Sequence, residues 1–170
     1  EGASFFDVAL SQIILGLGLG AVACYAISLT PYRFVKRYAF PLYLLALIAT
    51  ALVFVPGIGL TLNGATRWLH LGFVTFQPAE LLKVAYIIYL AAWLSSVKSR
   101  IGDLKLGLLP FFIITGLAGI VLLLQPDTDT FLVIAAAGSS MFLVSGARLR
   151  DIAIIIIIAA IGIGALLFFR

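Results

Sequence analysis

The stretch from Asn63 to Lys83, NGATRWLHLGFVTFQPAELLK, decides how the rest of the chain is read. Long apolar runs flank it on both sides, yet it carries Arg67, His70, Glu80 and Lys83. Its last part predicts a helix starting at Pro78. The missing proline N–H would have no intrahelical partner in a first turn, and the Glu80 carboxylate favours the positive end of the helix dipole. Glu80 and Lys83 then stand three residues apart on one helical face. Between Arg67 and Phe76 there is no helical period and Gly72 interrupts the pattern. That part reads as irregular or short extended backbone at a membrane surface.

Working outward, 64% of the 170 residues are hydrophobic and 11% charged, with a mean hydropathy of +1.23. A water-soluble domain of this size has no need of such a balance, which is that of an integral membrane protein. The formal charge of +4 sits mostly in alternate connecting segments. Such a distribution reports orientation across a bilayer and gives no sign of nucleic-acid binding. The single cysteine, Cys24, lies in an apolar run and reads as a small core residue, and a lone cysteine excludes a disulfide within the chain. No phosphate loop, nucleophile elbow, dinucleotide fingerprint or zinc-type Cys/His spacing is present.

The expected architecture is all-α: one integral membrane domain over residues 1–170, a polytopic transmembrane helical bundle with about six spans. Residues 8–30 carry no charge and, at ~1.5 Å per residue, are long enough for a hydrocarbon core of roughly 30 Å. Gly16 and Gly20 in that span form a pair that admits close helix approach. The acidic start, Glu1 and Asp7, and the absence of a basic leader argue against a signal peptide. A basic loop follows with Arg33, Lys36 and Arg37, then a span over 38–60 closed by Pro56 and Gly57, and an extracytoplasmic motif loop over 61–77. The remaining spans are expected at 78–95, 106–125, 130–146 and 152–169. Lys98, Arg100 and Lys105 lie between the third and fourth, Arg148 and Arg150 between the fifth and sixth. Basic loops on the cytoplasmic side put both ends outside. The isoleucine run from Ile154 to Ile158 would suit a strand in water, but lipid leaves an open strand unsatisfied and favours helix.

A second polar stretch, Gln125-Pro126-Asp127-Thr128-Asp129-Thr130, ends the fourth span. Together the two stretches resemble the signatures of the SEDS family (shape, elongation, division and sporulation), the polytopic FtsW and RodA proteins of bacteria. That family typically reads Asn-Gly-Ala-x-Arg-Trp, then Gln-Pro-[Ser/Ala]-Glu-x-x-Lys, and later Gln-Pro-Asp-Leu-Gly-Thr. Asn63, Gly64, Arg67, Trp68, Gln77, Pro78, Glu80, Lys83, Gln125, Pro126, Asp127 and Thr130 match it. Thr128 and Asp129 stand where the family has Leu-Gly.

The resemblance implies a peptidoglycan glycosyltransferase that polymerises lipid II, the undecaprenyl-diphosphate-linked precursor, into glycan strands. It would act at the outer face of the bacterial cytoplasmic (inner) membrane, in cell division or elongation. It implies a class B penicillin-binding protein as partner, a fold of about ten spans, and an acidic catalytic residue in a later outer loop. On that reading the chain is an internal fragment, inactive alone, with its catalytic base outside it. The rivals are a lipid-linked precursor flippase or other transporter, because charges near a helix break also build transport sites, and a non-catalytic scaffold for the transpeptidase.

Each candidate residue has a plain alternative. An isolated charge mid-membrane costs about 2.5–3.5 kcal/mol on insertion scales, which interfacial pairing of Glu80 with a snorkelling Lys83 would reduce. The family motif turns that pair into the lining of an outward polar cavity for an anionic lipid headgroup, with Gln77 beside it. Arg67 and Trp68 are ordinary interfacial anchors, or else a guanidinium that grips a diphosphate and an indole that packs on isoprenoid or sugar. Asp127, Asp129 and Thr130 suit a helix cap, which accounts for one carboxylate and not for two. Asp127 together with Glu80 is therefore a candidate site for a divalent cation, Mg or Mn, bridging substrate phosphates. No other cofactor is evident. His70 reads as a surface residue. The expectation that binds these together is one wet chamber shared by Arg67, Glu80, Lys83 and Asp127.

Overall fold

The computed structural model describes residues 17–62, 65–70 and 75–169. Contacts divide the chain at Arg37 into an N-terminal unit and a second unit, Tyr38–Arg170. Among the described residues the elements are α1 (Leu19–Ser28), α2 (Tyr32–Ala51), strands β1 (Gly59–Leu62), β2 (Ala65–His70) and β3 (Thr75–Phe76), then α3 (Pro78–Val97), α4 (Leu109–Leu124), α5 (Thr128–Val144) and α6 (Leu149–Phe169). Among the described residues, three helical stretches are long and apolar enough to cross a membrane: Tyr32–Phe54, Pro78–Val97 and Leu104–Leu124; α5 is a shorter apolar helix. The chain is a helical membrane protein.

In the N-terminal unit the side chains described from Gly20 to Leu29 are exposed. Cys24 is among them, which corrects its reading as a core residue. Lipid tails solvate a small apolar side chain as well as protein does, so the sequence carries no signal that would bury it. Gly16, Glu1 and Asp7 lie outside the described residues.

The second expected span, 38–60, is corrected at both ends. Helix α2 begins just after Pro31, so Arg33, Lys36 and Arg37 occupy its first turns and not a loop. A 3₁₀ turn, Leu52–Phe54, follows α2, and Val55 is already extended (φ −75°, ψ 123°), as the residue before a proline prefers to be. Gly57 then takes φ +88° and the chain turns into β1. Residues 59 and 60, expected to close the span, are strand, and the strand runs on to Leu62 in the motif loop.

The three strands form one antiparallel sheet in the order β1-β2-β3. Leu62 pairs with Ala65, Leu69 with Phe76 and His70 with Thr75. The stretch read as irregular or short extended is extended where it is described, and its paired main-chain groups find partners across the strands. The sheet packs β2 against the 3₁₀ turn and against α3.

Helix α5 packs against both α3 and α4. The core they share includes Ala79, Leu82, Ala85, Tyr86 and Leu90 of α3, Phe111, Ile114, Ala118 and Leu122 of α4, and Ile134 and Phe142 of α5. The opposite face of α4 exposes Ile113, Leu117, Ile120 and Leu124. Large apolar residues outside, with small residues such as Ala79, Ala85 and Ala118 among those inside, suit a bundle solvated by lipid, where close approach replaces hydrophobic expulsion as the driving force. Gly138 on α5 gives that approach: a Cβ there would lie 1.9 Å from the Tyr86 hydroxyl. Three buried hydroxyls, those of Tyr43, Tyr86 and Thr115, are paired across the bundle. Tyr43 donates to the Ile114 carbonyl at 2.6 Å, and the Tyr86 and Thr115 hydroxyls meet at 2.8 Å. Between α3 and α4 a 3₁₀ turn, Lys98–Arg100, and a π-turn, Leu104–Leu108, carry the second basic segment.

Candidate functional site

The β1–β2 register explains how an arginine leaves the sheet. Leu60 faces Trp68 and Thr61 faces Thr66, so Arg67 is the residue the pairing skips, at an irregularity between Leu60 and Thr61. A bulge of this kind re-aims the extra side chain out of the alternating pattern. Arg67 reaches the turn between α4 and α5. Its Nη2 donates to the Pro126 carbonyl, and its Nη1 lies 3.7 Å from Asp127 Oδ1.

Asp127 occupies the N-cap of α5, where Oδ1 also accepts the Thr130 N–H at 3.4 Å. The capping expectation holds for Asp127, one residue before the helix begins. Asp129 falls in the first turn and is exposed. The same turn is anchored from the other side by Gln125, the C-cap of α4, whose Nε2 donates to the Thr50 carbonyl of α2 at 2.6 Å. This tie was not read from the sequence. Neither was the Arg67 contact with Pro126.

Three buried polar atoms here have no hydrogen-bond partner: Arg67 Nε, Gln125 Oε1 and Asp127 Oδ2. A buried polar atom left unpaired costs about 1–3 kcal/mol, so such groups in a native fold call for a role. Between them they offer one donor and two acceptors, which suits a ligand bearing both hydroxyl and phosphate oxygens.

The second charged pair stands at the start of α3. Gln77 is its N-cap, extended and without a side-chain cap bond, and Pro78 opens the first turn. Lys83 Nζ lies 2.9 Å from Glu80 Oε2, with the Glu80 side chain 56% exposed and that of Lys83 27%. An exposed i,i+3 pair adds only ~0.2–0.5 kcal/mol to a helix, so stability does not explain it. Trp68 is half-buried on β2, beside Arg67. The placement of Asn63, Gly64 and the His70 side chain lies outside the described residues.

The four charges expected to share one chamber form two pairs: Arg67 joins Asp127 and Glu80 joins Lys83, and among the described residues no hydrogen bond or ion pair links the two. Among the described residues no three His, Cys, Asp or Glu side chains gather, and Glu80 and Asp127 each face a cationic side chain.

The chain is 36% identical over 152 residues to a probable peptidoglycan glycosyltransferase FtsW of Alcanivorax borkumensis, a match covering 88% of this chain and 38% of that protein. Its structure resembles that of rod shape determining protein RodA of Thermus thermophilus with a TM-score of 0.73 and 28% identity, covering 91% of this chain and 50% of the other. It also resembles a chain in a structure titled as structural coordination of polymerization and crosslinking by a peptidoglycan synthase complex, with a TM-score of 0.64 and 32% identity over 75% of this chain and 36% of that one. The chain thus spans about two fifths to half the length of these proteins. A family profile described as cell cycle protein, FtsW/RodA/SpoVE, matches residues 2–170, and the chain belongs to that family.

Proposed function

We propose that the full-length protein is a peptidoglycan glycosyltransferase that polymerises lipid II into glycan strands at the outer face of the bacterial cytoplasmic membrane. The observation that carries this is the meeting of the two polar stretches: Arg67 from the first contacts Pro126 and Asp127 of the second, leaving unpaired buried donors and acceptors at the junction. The names of the relatives over the matched region support the reaction class.

Glycosyl transfer requires that an acceptor hydroxyl lose its proton and that a lipid diphosphate depart. Arg67 and Lys83 supply the positive charge that a departing diphosphate needs, and Arg67 suits bidentate contact with its oxygens. Asp127 holds Arg67 at the junction, while Trp68 offers a flat apolar face to sugar or isoprenoid. Glu80 holds Lys83 in place at 2.9 Å. Both of these carboxylates stand beside cations, so neither takes the role of base; that group belongs to another part of the full-length protein. Any divalent cation is brought by the substrate phosphates and is not held between Glu80 and Asp127. The partner is a class B penicillin-binding transpeptidase, a reading supported by the solved synthase complex that pairs polymerization with crosslinking.

The test is purified full-length protein given lipid II already facing its outer side. Glycan polymer is expected. Vesicle translocation without polymer would make the protein a flippase, and transpeptidase binding with neither activity would make it a scaffold.

A further inference from the structure

The basic segments between α3 and α4 and between α5 and α6 do more than set orientation. They converge on a cavity of about 640 Å³ lined by Arg100, Gly102, Asp103, Leu104, Lys105, Arg148 and Arg150. Four of these seven are cationic, and the carboxylates nearby do not balance them. Asp103 turns its Oδ1 to the Lys105 backbone N–H at 2.8 Å. Asp151, only 1% exposed, serves Arg150 at 3.4 Å. Among the described residues, Arg100, Lys105 and Arg148 have no carboxylate within ion-pair distance.

Two further features point to an anionic occupant. Arg148 and Arg150 stand at the N-terminal end of α6, the positive end of its dipole, where added cations are unfavourable unless an anion lies between them. Arg148 also lies flat over Gly102, at which a Cβ would fall 2.8 Å from the guanidinium Nε. The missing side chain at Gly102 is what lets the guanidinium lie there.

The rim decides between a soluble and a membrane-borne anion. Leu104 in the lining, Leu106 and Leu109 after it, and Leu149 between the two arginines are all exposed. Leu149 is 83% exposed, next in sequence to the charges on either side. A cluster of cations with a collar of leucines matches an amphiphile, with a phosphate inward and acyl chains along the apolar faces.

We propose that this cavity is a binding site for the headgroup of an anionic phospholipid of the cytoplasmic leaflet. The site is separate from the Arg67–Asp127 and Glu80–Lys83 pairs and does not rest on the function proposed for them.

The test is lipid retention by the full-length protein, taken from vesicles of mixed phosphatidylglycerol and phosphatidylcholine and read by native mass spectrometry. The wild-type protein and Lys36→Gln, a cation that does not line the cavity, should each keep phosphatidylglycerol in preference to phosphatidylcholine by tenfold or more. Arg100→Gln with Arg148→Gln should bring the preference near parity. Gly102→Leu should do the same with the net charge unchanged, because it displaces Arg148. Loss of a surface cation alone weakens attraction to an anionic leaflet on the order of fivefold, so the charge-neutral variant separates a shaped site from general attraction. The proposal is overturned if Gly102→Leu keeps the wild-type preference, if Lys36→Gln loses as much as the double variant, or if millimolar glycerol 3-phosphate displaces the lipid and so identifies a soluble anion as occupant.

Discussion

Arg67 and Asp127 face each other at 3.7 Å, one side chain re-aimed by a bulge in β2 and the other fixed as the N-cap of α5. Asp127 is 2% exposed and Arg67 31%, so the pair joins a buried carboxylate to a cation that still meets solvent. Removing one partner of such a pair strands the other: Arg67→Ala is expected to cost ~3–5 kcal/mol. Adding Asp127→Asn to Arg67→Ala should recover part of that loss. A double-mutant cycle on the thermal midpoint of the detergent-solubilised full-length protein checks this, and additive losses would show that the two side chains do not interact.

Glu80 and Lys83 give the opposite balance. Their contact is close, 2.9 Å, but largely exposed. Glu80→Gln should lower stability by no more than about 0.5 kcal/mol. Its effect on polymerisation should be tenfold or greater, because Lys83 loses the group that positions it. Thermal midpoint and initial polymerisation rate, measured on the same preparation, separate the two.

Tyr86 and Gly138 set how closely α3 and α5 approach. Gly138→Ala places a methyl group where the Tyr86 hydroxyl lies, and overpacking of this kind costs ~1–3 kcal/mol. Tyr86→Phe removes the clashing oxygen at the cost of its bond to Thr115. The double variant should therefore be more stable than Gly138→Ala alone, as read from thermal unfolding in detergent.

Gln125 holds the α4–α5 turn against α2 through its 2.6 Å bond to the Thr50 carbonyl. Gln125→Leu leaves that carbonyl buried without this donor, and a loss of ~1–3 kcal/mol is expected. Because Asp127 sits on the same turn, polymerisation should fall as well. A Gln125→Leu protein with wild-type stability and activity would show that the tie has no structural role.

Much of the helical plan can be read directly from the chain. Pro78 and Pro110 sit in first turns, Gln125 ends α4, and the isoleucine run is helix, because each depends on local chemistry or on the requirement that lipid imposes on the backbone. The second helix is harder to place. Hydropathy marks where a chain prefers lipid and not where helix begins or ends, so the basic first turns of α2 read as loop and the span reads as running to residue 60, past the helix end before Pro56. A signal for the sheet was present. Leu62 pairs with Ala65, and the Asn63-Gly64 of the sequence is the dipeptide that two-residue hairpins favour.

The site divides in the same way. Glu80 with Lys83 and the Asp127 cap follow from spacing within one helix. The bulge that turns Arg67 toward Pro126 and Asp127 depends on strand register, as does the separation of the charges into two pairs, and neither is written in any single motif.

The central claim is that β2 and the α4–α5 turn together hold the lipid-linked substrate, and Trp68 is the residue from which to ask. The full-length protein with Trp68→p-benzoylphenylalanine, mixed with lipid II and irradiated, should form a covalent adduct by insertion of the excited ketone into a substrate C–H bond. The adduct should be absent when Arg67→Ala is also present. Efficient polymerisation by the photoreactive protein with no adduct at that position would contradict the claim.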